Sequence, residues 1–292
     1  MALSKKKEQE YIEKVRENGQ ILKNIEEQTN DICLEAVKKD GLALQYVKEQ
    51  TPELCLEAVK QNGLALCCVN HQSEKICLEA VRRYAGTLRF VRHQTPEICL
   101  EAVRCDGFAL RYVKKQTPEI CLEAVKKNGM ALEYVEEQTS EVCLEAVKED
   151  GMALVYVKEQ TEEICSEAVK RNPQAFKFVK KQTHPICFQT VKESGLLIEN
   201  LQIQTPSLWL EAVKNSGWAL QYVKQQIPEI CLEAVKNDGM ALEHVENQTE
   251  ELGLIALFDD CTIYRQLHSP TQEMKNIYEC LLQQKDVQKN SY

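Results

Sequence analysis

Nine glycines fall on one ruler: Gly19, Gly41, Gly63, Gly107, Gly129, Gly151, Gly195, Gly217 and Gly239 are spaced by 22 residues or a multiple of it. Ala85 and Pro173 stand on the two remaining marks, so eleven units run from Gly19 to Asp260 without insertion or deletion. A fixed short period restricts a chain to architectures in which one supersecondary unit stacks on copies of itself. Twenty-two residues carry too little apolar surface for an independent core, so each unit must bury its face against its neighbours. Positions within a unit are numbered from the glycine.

Each unit reads as two short helices. Position 22 is Asp, Asn or Ser in ten units, as in Asp40, Asn62, Asp106 and Ser194, with Tyr84 the exception. Such side chains accept a hydrogen bond from an orphaned N–H at a helix start. Asn172-Pro173 agrees, because proline suits the first helical position. A first helix is predicted from position 1 to about position 9. The second start is stronger: position 11 is Thr or Ser in ten units, Ile227 excepted, and Thr117-Pro118-Glu119 combines cap, first-turn proline and an acid that the helix dipole favours. Two helices of about nine residues would each be only ~13 Å long, and helices that short are marginal alone. In the unit Gly107–Asn128, Ile120, Cys121, Leu122, Ala124 and Val125 make the second helix apolar nearly all round, the mark of an element buried between layers. Phe108, Ala109, Leu110, Tyr112 and Val113 leave the first helix a wet face at Arg111, Lys114 and Lys115.

The expectation is therefore an all-α chain, an αα-solenoid of eleven 22-residue two-helix repeats with helical caps. Residues 1–18 would form an N-terminal helical cap carrying Tyr11, Ile12 and Val15. Residues 19–260 would form the solenoid. Residues 261–284 would cap its other end through a helix starting at Ser269-Pro270 with Met274, Ile277, Tyr278, Leu281 and Leu282, and 285–292 would be a disordered tail.

The Cys-Leu-Glu-Ala-Val and Gly-x-Ala-Leu-x-Tyr-Val blocks, clearest at 117–138 and 51–72, resemble the tandem repeats of domain-of-unknown-function family 4116, which occurs in large DNA viruses and bacteria. The resemblance covers about residues 19–258 and implies a repeat array with no assigned activity. Units eight and nine depart most from the pattern, at Pro173, Phe188, Thr190, Asn200 and Trp209.

Composition narrows the function classes. The formal net charge is −9, from 36 basic and 45 acidic side chains, which disfavours indiscriminate binding to nucleic acid or anionic membrane. No stretch approaches the ~18 apolar residues of a membrane span, and Met1–Glu10 lacks the apolar run of a secretory signal. Fourteen cysteines without such a signal point to a reducing, cytoplasmic compartment, or to host cytosol for a viral or effector protein.

Cys33, Cys55, Cys77, Cys99, Cys121, Cys143, Cys165, Cys187 and Cys231 all occupy position 15. Stacked helices lie about 8–10 Å apart, beyond the ~7 Å Cα limit for a disulfide, and zinc spacing is absent. These thiols read as small buried residues. No metal and no cofactor is expected. Gln at position 10 of every unit can donate and accept, and is expected to bridge consecutive units. Glu at position 17, as in Glu101, Glu123 and Glu145, pairs three residues on with Arg104, Lys126 and Lys148. Trp209 and Trp218 read as core. His71, His93, His184, His244 and His268 are scattered, and no catalytic motif is present, so a non-enzyme is expected.

The informative variation lies at positions 5, 8 and 9. Units four and five give Arg89, Arg92, His93, Arg111, Lys114 and Lys115; unit six gives Glu133, Glu136 and Glu137. Either this is a solubilising surface or a charge-patterned track that binds another protein, as solenoids do along corresponding positions of successive repeats. A modular nucleic-acid reader is the second reading, since some helical repeats use one unit per base, but Glu133, Glu136, Glu137, Glu243 and Glu246 would interrupt its phosphate path. Sequestration of a host component is a third.

Overall fold

The computed structural model describes residues 3–289, the last five as backbone only. Every described regular element is helical, and the fold is an all-α solenoid of repeats. By compactness the chain divides into two bodies, Met1–Val157 and Lys158–Tyr292. Within each, successive α-helices pack on one another in one layer and successive short helices in a second.

The second helix of each unit is the α-helix expected. Pro118–Lys127 spans positions 12–21, capped by Thr117, whose hydroxyl accepts the Ile120 N–H at 3.3 Å. The first is shorter and tighter than the sequence implies. Gly107–Tyr112 is a 3₁₀ helix of six residues, ending at position 6, and the same six positions are 3₁₀ in every unit. Position 7 then turns extended, as at Val113 (φ −74°, ψ 119°), and positions 8 and 9 form a bend.

In most units the glutamine of the preceding unit holds the backbone beyond this helix. Gln94 Nε2 donates to the Tyr112 carbonyl at 2.8 Å, and its Oε1 accepts the Lys114 N–H at 2.9 Å. Those are the position-6 acceptor and position-8 donor that a continuing α-helix would have used. Gln94 Nε2 also donates to its own unit's Leu88 carbonyl at 3.2 Å, and Oε1 takes the Cys99 thiol at 3.7 Å. Gln116 repeats the pattern on Tyr134 (2.8 Å), Glu136 (3.1 Å) and Cys121 (3.4 Å). The expected bridge between units is therefore real, and it holds the bend that follows the first helix.

Position-22 capping holds where the residue is Asp or Asn. Asp106 Oδ1 accepts from Phe108 N–H at 3.0 Å and Asn128 Oδ1 from Met130 N–H at 3.0 Å, each reaching two residues on. Tyr84, Ser194 and Ser216 make no such bond. The core lies between the layers. Ala109, Leu110 and Val113 from the 3₁₀ side meet Ile120, Cys121, Ala124 and Val125 from the α side, all buried. Glycine at position 1 permits this closeness: a Cβ at Gly107 would sit 2.4 Å from the Ala124 carbonyl oxygen.

Both ends extend the repeat register. Lys5–Glu17 buries Val15 at the equivalent of position 19, while Tyr11 and Ile12 are half-buried, and Arg16 binds Glu35 of unit one at 2.7 Å. At the other end the sequence reading needs correction. Cys261 is a twelfth mark on the ruler, and Cys261–Gln266 is a further 3₁₀ segment capped by Asp260. The following helix starts at Gln272, not at Ser269-Pro270, because Thr271 supplies the cap to the Met274 N–H at 3.3 Å. It continues as helix to Lys289, through part of the stretch expected to be disordered; the remainder of that tail, residues 290–292, lies outside the described residues. Met274 from this helix fills the hollow left by Gly253, which stands where other units have cysteine: a Cβ there would lie 2.5 Å from Met274 Cε.

Candidate functional site

The bend at positions 8 and 9 is fixed from behind by glutamine, so the side chains it carries project from a rigid edge. Between one bend and the next, with the helix starts below, the surface dips into a cleft. One cleft of about 370 Å³ is bounded by Arg92 and His93 on one side, Lys114 and Lys115 on the other, with Pro96 and Thr117 beneath. The next, of about 270 Å³, is bounded by Lys114 and Lys115 and then Glu136 and Glu137. Six of the nine residues singled out in the sequence are thus brought into two adjoining clefts whose charge passes from basic to acidic. Comparable clefts recur near Gln28 in the first body and near Gln226 in the second.

Arg89, Arg111 and Glu133 do not line these clefts. They sit on the 3₁₀ segment, where the Arg89 guanidinium lies 4.5 Å from the Phe90 ring centroid and Arg111 4.6 Å from that of Tyr112. The single exposed stripe expected at positions 5, 8 and 9 is therefore divided: position 5 belongs to a helix and positions 8 and 9 to a bend, because the helix ends at position 6.

Position 8 has a structural part in addition. Arg92 donates to the Asn70 carbonyl at 2.7 Å and the Val69 carbonyl at 3.2 Å, both in the preceding unit. Lys114 reaches the Arg92 and Val91 carbonyls at 3.2 and 3.3 Å, and Lys48 the Glu26 carbonyl at 2.7 Å. A cation on two backbone dipoles clamps successive bends together. His93 and Lys115, one residue on, are exposed and hold no backbone carbonyl among the described residues.

The thiols of position 15 are buried and free, as expected of structural residues, and eight of them, Cys187 apart, are seen bonded to the position-10 glutamine of their own unit. Burial pushes their acidity down: the Cys33 pKa rises to about 11, and Cys55, Cys77, Cys99, Cys121, Cys165, Cys187 and Cys231 shift the same way for the same reason. Trp209 replaces one of them and keeps its bond, donating from Nε1 to Gln204 Oε1 at 3.0 Å while buried in the core. Trp218 is only half-buried and donates to Asp238 at 2.8 Å.

The position-17 row holds no cation site among the described residues. Lys148 pairs with Glu145 within its helix at 2.7 Å as expected, and Lys126 with Glu123 at 4.0 Å. Arg104 does otherwise: it binds Glu123 of the next unit at 2.8 Å rather than Glu101, which instead receives Arg82 at 2.7 Å. The guanidinium fork spans the interval between successive helices, as it does at Arg16, Arg82 and Arg104. No helix among the described residues is long and apolar enough to cross a membrane.

Comparison with known families matches the chain at residues 29–72, 95–138, 139–183 and 206–249. Each match opens at a position-11 cap or the residue after it and takes in about two units, so the family's frame pairs an α-helix with the 3₁₀ segment that follows. No curated protein and no solved structure matches the chain. The four matches take in more than half of the sequence, and the chain belongs to the family described as Domain of unknown function (DUF4116), as a tandem array of its repeat.

Proposed function

We propose that this protein is a non-catalytic scaffold that holds an extended segment of another protein along the clefts between its position-8 and position-9 bends. The observation that carries the reading is the pair of adjoining clefts sharing Lys114 and Lys115, basic on the Arg92–His93 side and acidic on the Glu136–Glu137 side. Clefts of about 300 Å³ lie at the small end for a metabolite site, whereas a series of them on a fixed spacing suits successive side chains of one polypeptide. Charge complementarity favours a segment with Asp or Glu opposite His93 and Lys115 and Lys or Arg opposite Glu137. The free thiols fit residence in the reducing cytosol. The acidic units make a continuous phosphate path unsuitable, which places nucleic acid second.

The test is a photo-crosslinking amino acid placed in turn at positions 93, 115 and 137, with position 127 as control, in extract of the native host with and without nuclease treatment. Protein adducts at the first three positions and none at the control support the reading. Adducts that vanish on nuclease treatment, or equal labelling at position 127, would overturn it.

A further inference from the structure

Cys67 and Cys68 are adjacent in the sequence and lie at positions 5 and 6 of unit three, at the end of the 3₁₀ segment Gly63–Cys68. Most other units carry an aromatic ring at position 6, as in Tyr46 and Phe90 on either side. Here the two thiols are in contact, Sγ to Sγ 3.4 Å, with Cys67 exposed and Cys68 half-buried. The position-15 thiols, by contrast, are buried singly against glutamine.

The pair is held in place before any ligand arrives. Gln50 Nε2 donates to the Cys68 carbonyl at 2.9 Å, Gln50 Oε1 accepts the Asn70 N–H at 2.9 Å, and the Val69 N–H closes on Leu66. Such preorganisation removes much of the ordering cost of binding. A direct disulfide suits the pair poorly: adjacent Cα atoms across a trans peptide lie about 3.8 Å apart, short of the ~4.4 Å lower end for a bridge, and no cis peptide is present among the described residues. One atom inserted between the sulfurs makes a larger ring and leaves them near their present separation. Cations that require three or more protein ligands are not served, because no third His, Cys, Asp or Glu completes a set among the described residues.

We propose that Cys67 and Cys68 form a bidentate dithiol site for a single thiophilic centre with two exchangeable ligands, the class represented by monosubstituted trivalent arsenicals. Thiols are the soft donors such a centre prefers. Both S–H bonds and both As–OH bonds break, two As–S bonds form, and the protons leave with the hydroxides as two molecules of water. Arsenic stays trivalent and neither sulfur is oxidised, so no oxidant or reductant enters.

The experiment uses the full-length reduced protein with phenylarsine oxide, read by native mass spectrometry. One equivalent retained against excess 2-mercaptoethanol and released by 2,3-dimercaptopropanol is the expected result. Cys67→Ser and Cys68→Ser should each weaken retention at least tenfold, while Cys105→Ser and Cys280→Ser leave it unchanged. Cys67 is exposed, so Cys67→Ser keeps the wild-type circular dichroism and melting, and its result alone decides if Cys68→Ser fails to fold. Retention of the equivalent by Cys67→Ser, or failure of the wild type to retain it, overturns the proposal.

Discussion

Glutamine at position 10 takes over bonds that a longer first helix would otherwise make for itself. In Gln116 the amide joins its own unit, through the Cys121 thiol, to the Tyr134 carbonyl and Glu136 N–H of the next. Removing one partner of a buried hydrogen bond costs about 1–3 kcal/mol, more than the bond itself contributes. Gln116→Ala should therefore lower stability by roughly 2 kcal/mol in urea unfolding, against a change within about 0.5 kcal/mol for the exposed Lys127→Ala. Equal midpoints for the two variants would mean that the amide is ornamental. The thiols it binds make a second prediction. Their folded-state pKa lies above the ordinary thiol value of about 8.5, reaching about 11 at Cys33. The folded chain thus binds thiol protons more tightly than the unfolded chain, and stability falls as pH rises from the ordinary value through the folded one. Alkaline unfolding should set in across that window and be weaker in a Cys33→Ala, Cys55→Ala variant; an unchanged alkaline midpoint contradicts the assignment. At neutral pH, a thiol reagent should reach Cys67, Cys105 and Cys280 and, more slowly, Cys68, with the ten buried cysteines labelled only after denaturation.

The α-helix and the 3₁₀ helix of a unit are fixed by different information. The α-helix is local: Thr-Pro-Glu at its start and Ile-Cys-x-x-Ala-Val on one face are all within its own ten residues, and the sequence shows it directly. Ile227 is the one residue of that row that is neither Thr nor Ser, and its helix, Pro228–Asn237, has no side-chain cap bond, as is also the case behind Thr183 and Thr205. Ile227→Thr should restore one and raise stability by about 1 kcal/mol, seen as a higher Tm; a lower Tm would show that the apolar side chain on the Gln226 cleft matters more than the cap. The bend after the 3₁₀ helix is held by a residue 18 to 20 positions earlier in the chain, as Gln94 holds the one after Gly107–Tyr112, though the first unit's Gly19–Asn24 stops at the same position without such a partner. A pattern of Leu, Tyr and Val read locally continues to position 9, and nothing in those residues announces the stop. The twelfth mark was hidden for a related reason. Cys261 and Ile263 stand where Gly and Ala are usual, and only Asp260 and Thr271, the two caps, keep the register visible.

At the scale of the molecule, the sequence places the variable charges on the surface but does not separate them by task. Exposure of Arg92, His93, Lys114, Lys115, Glu136 and Glu137 is legible from the repeat pattern. That Arg92 and Lys114 spend their charge on carbonyls of the preceding unit is not, since those carbonyls lie 22 and 23 residues away. Arg92→Glu and Lys114→Glu would therefore confound binding with packing. His93, Lys115 and Glu137 carry the proposed recognition with less structural consequence. The most direct test is the affinity of the cross-linked partner for the wild type and for the double variant His93→Glu, Lys115→Glu, measured by titration calorimetry at rising ionic strength. The account predicts wild-type binding that weakens with salt as the patch is screened, at least tenfold weaker binding by the variant, and an unchanged Tm. Undiminished affinity in the variant, with the same salt dependence, would contradict it.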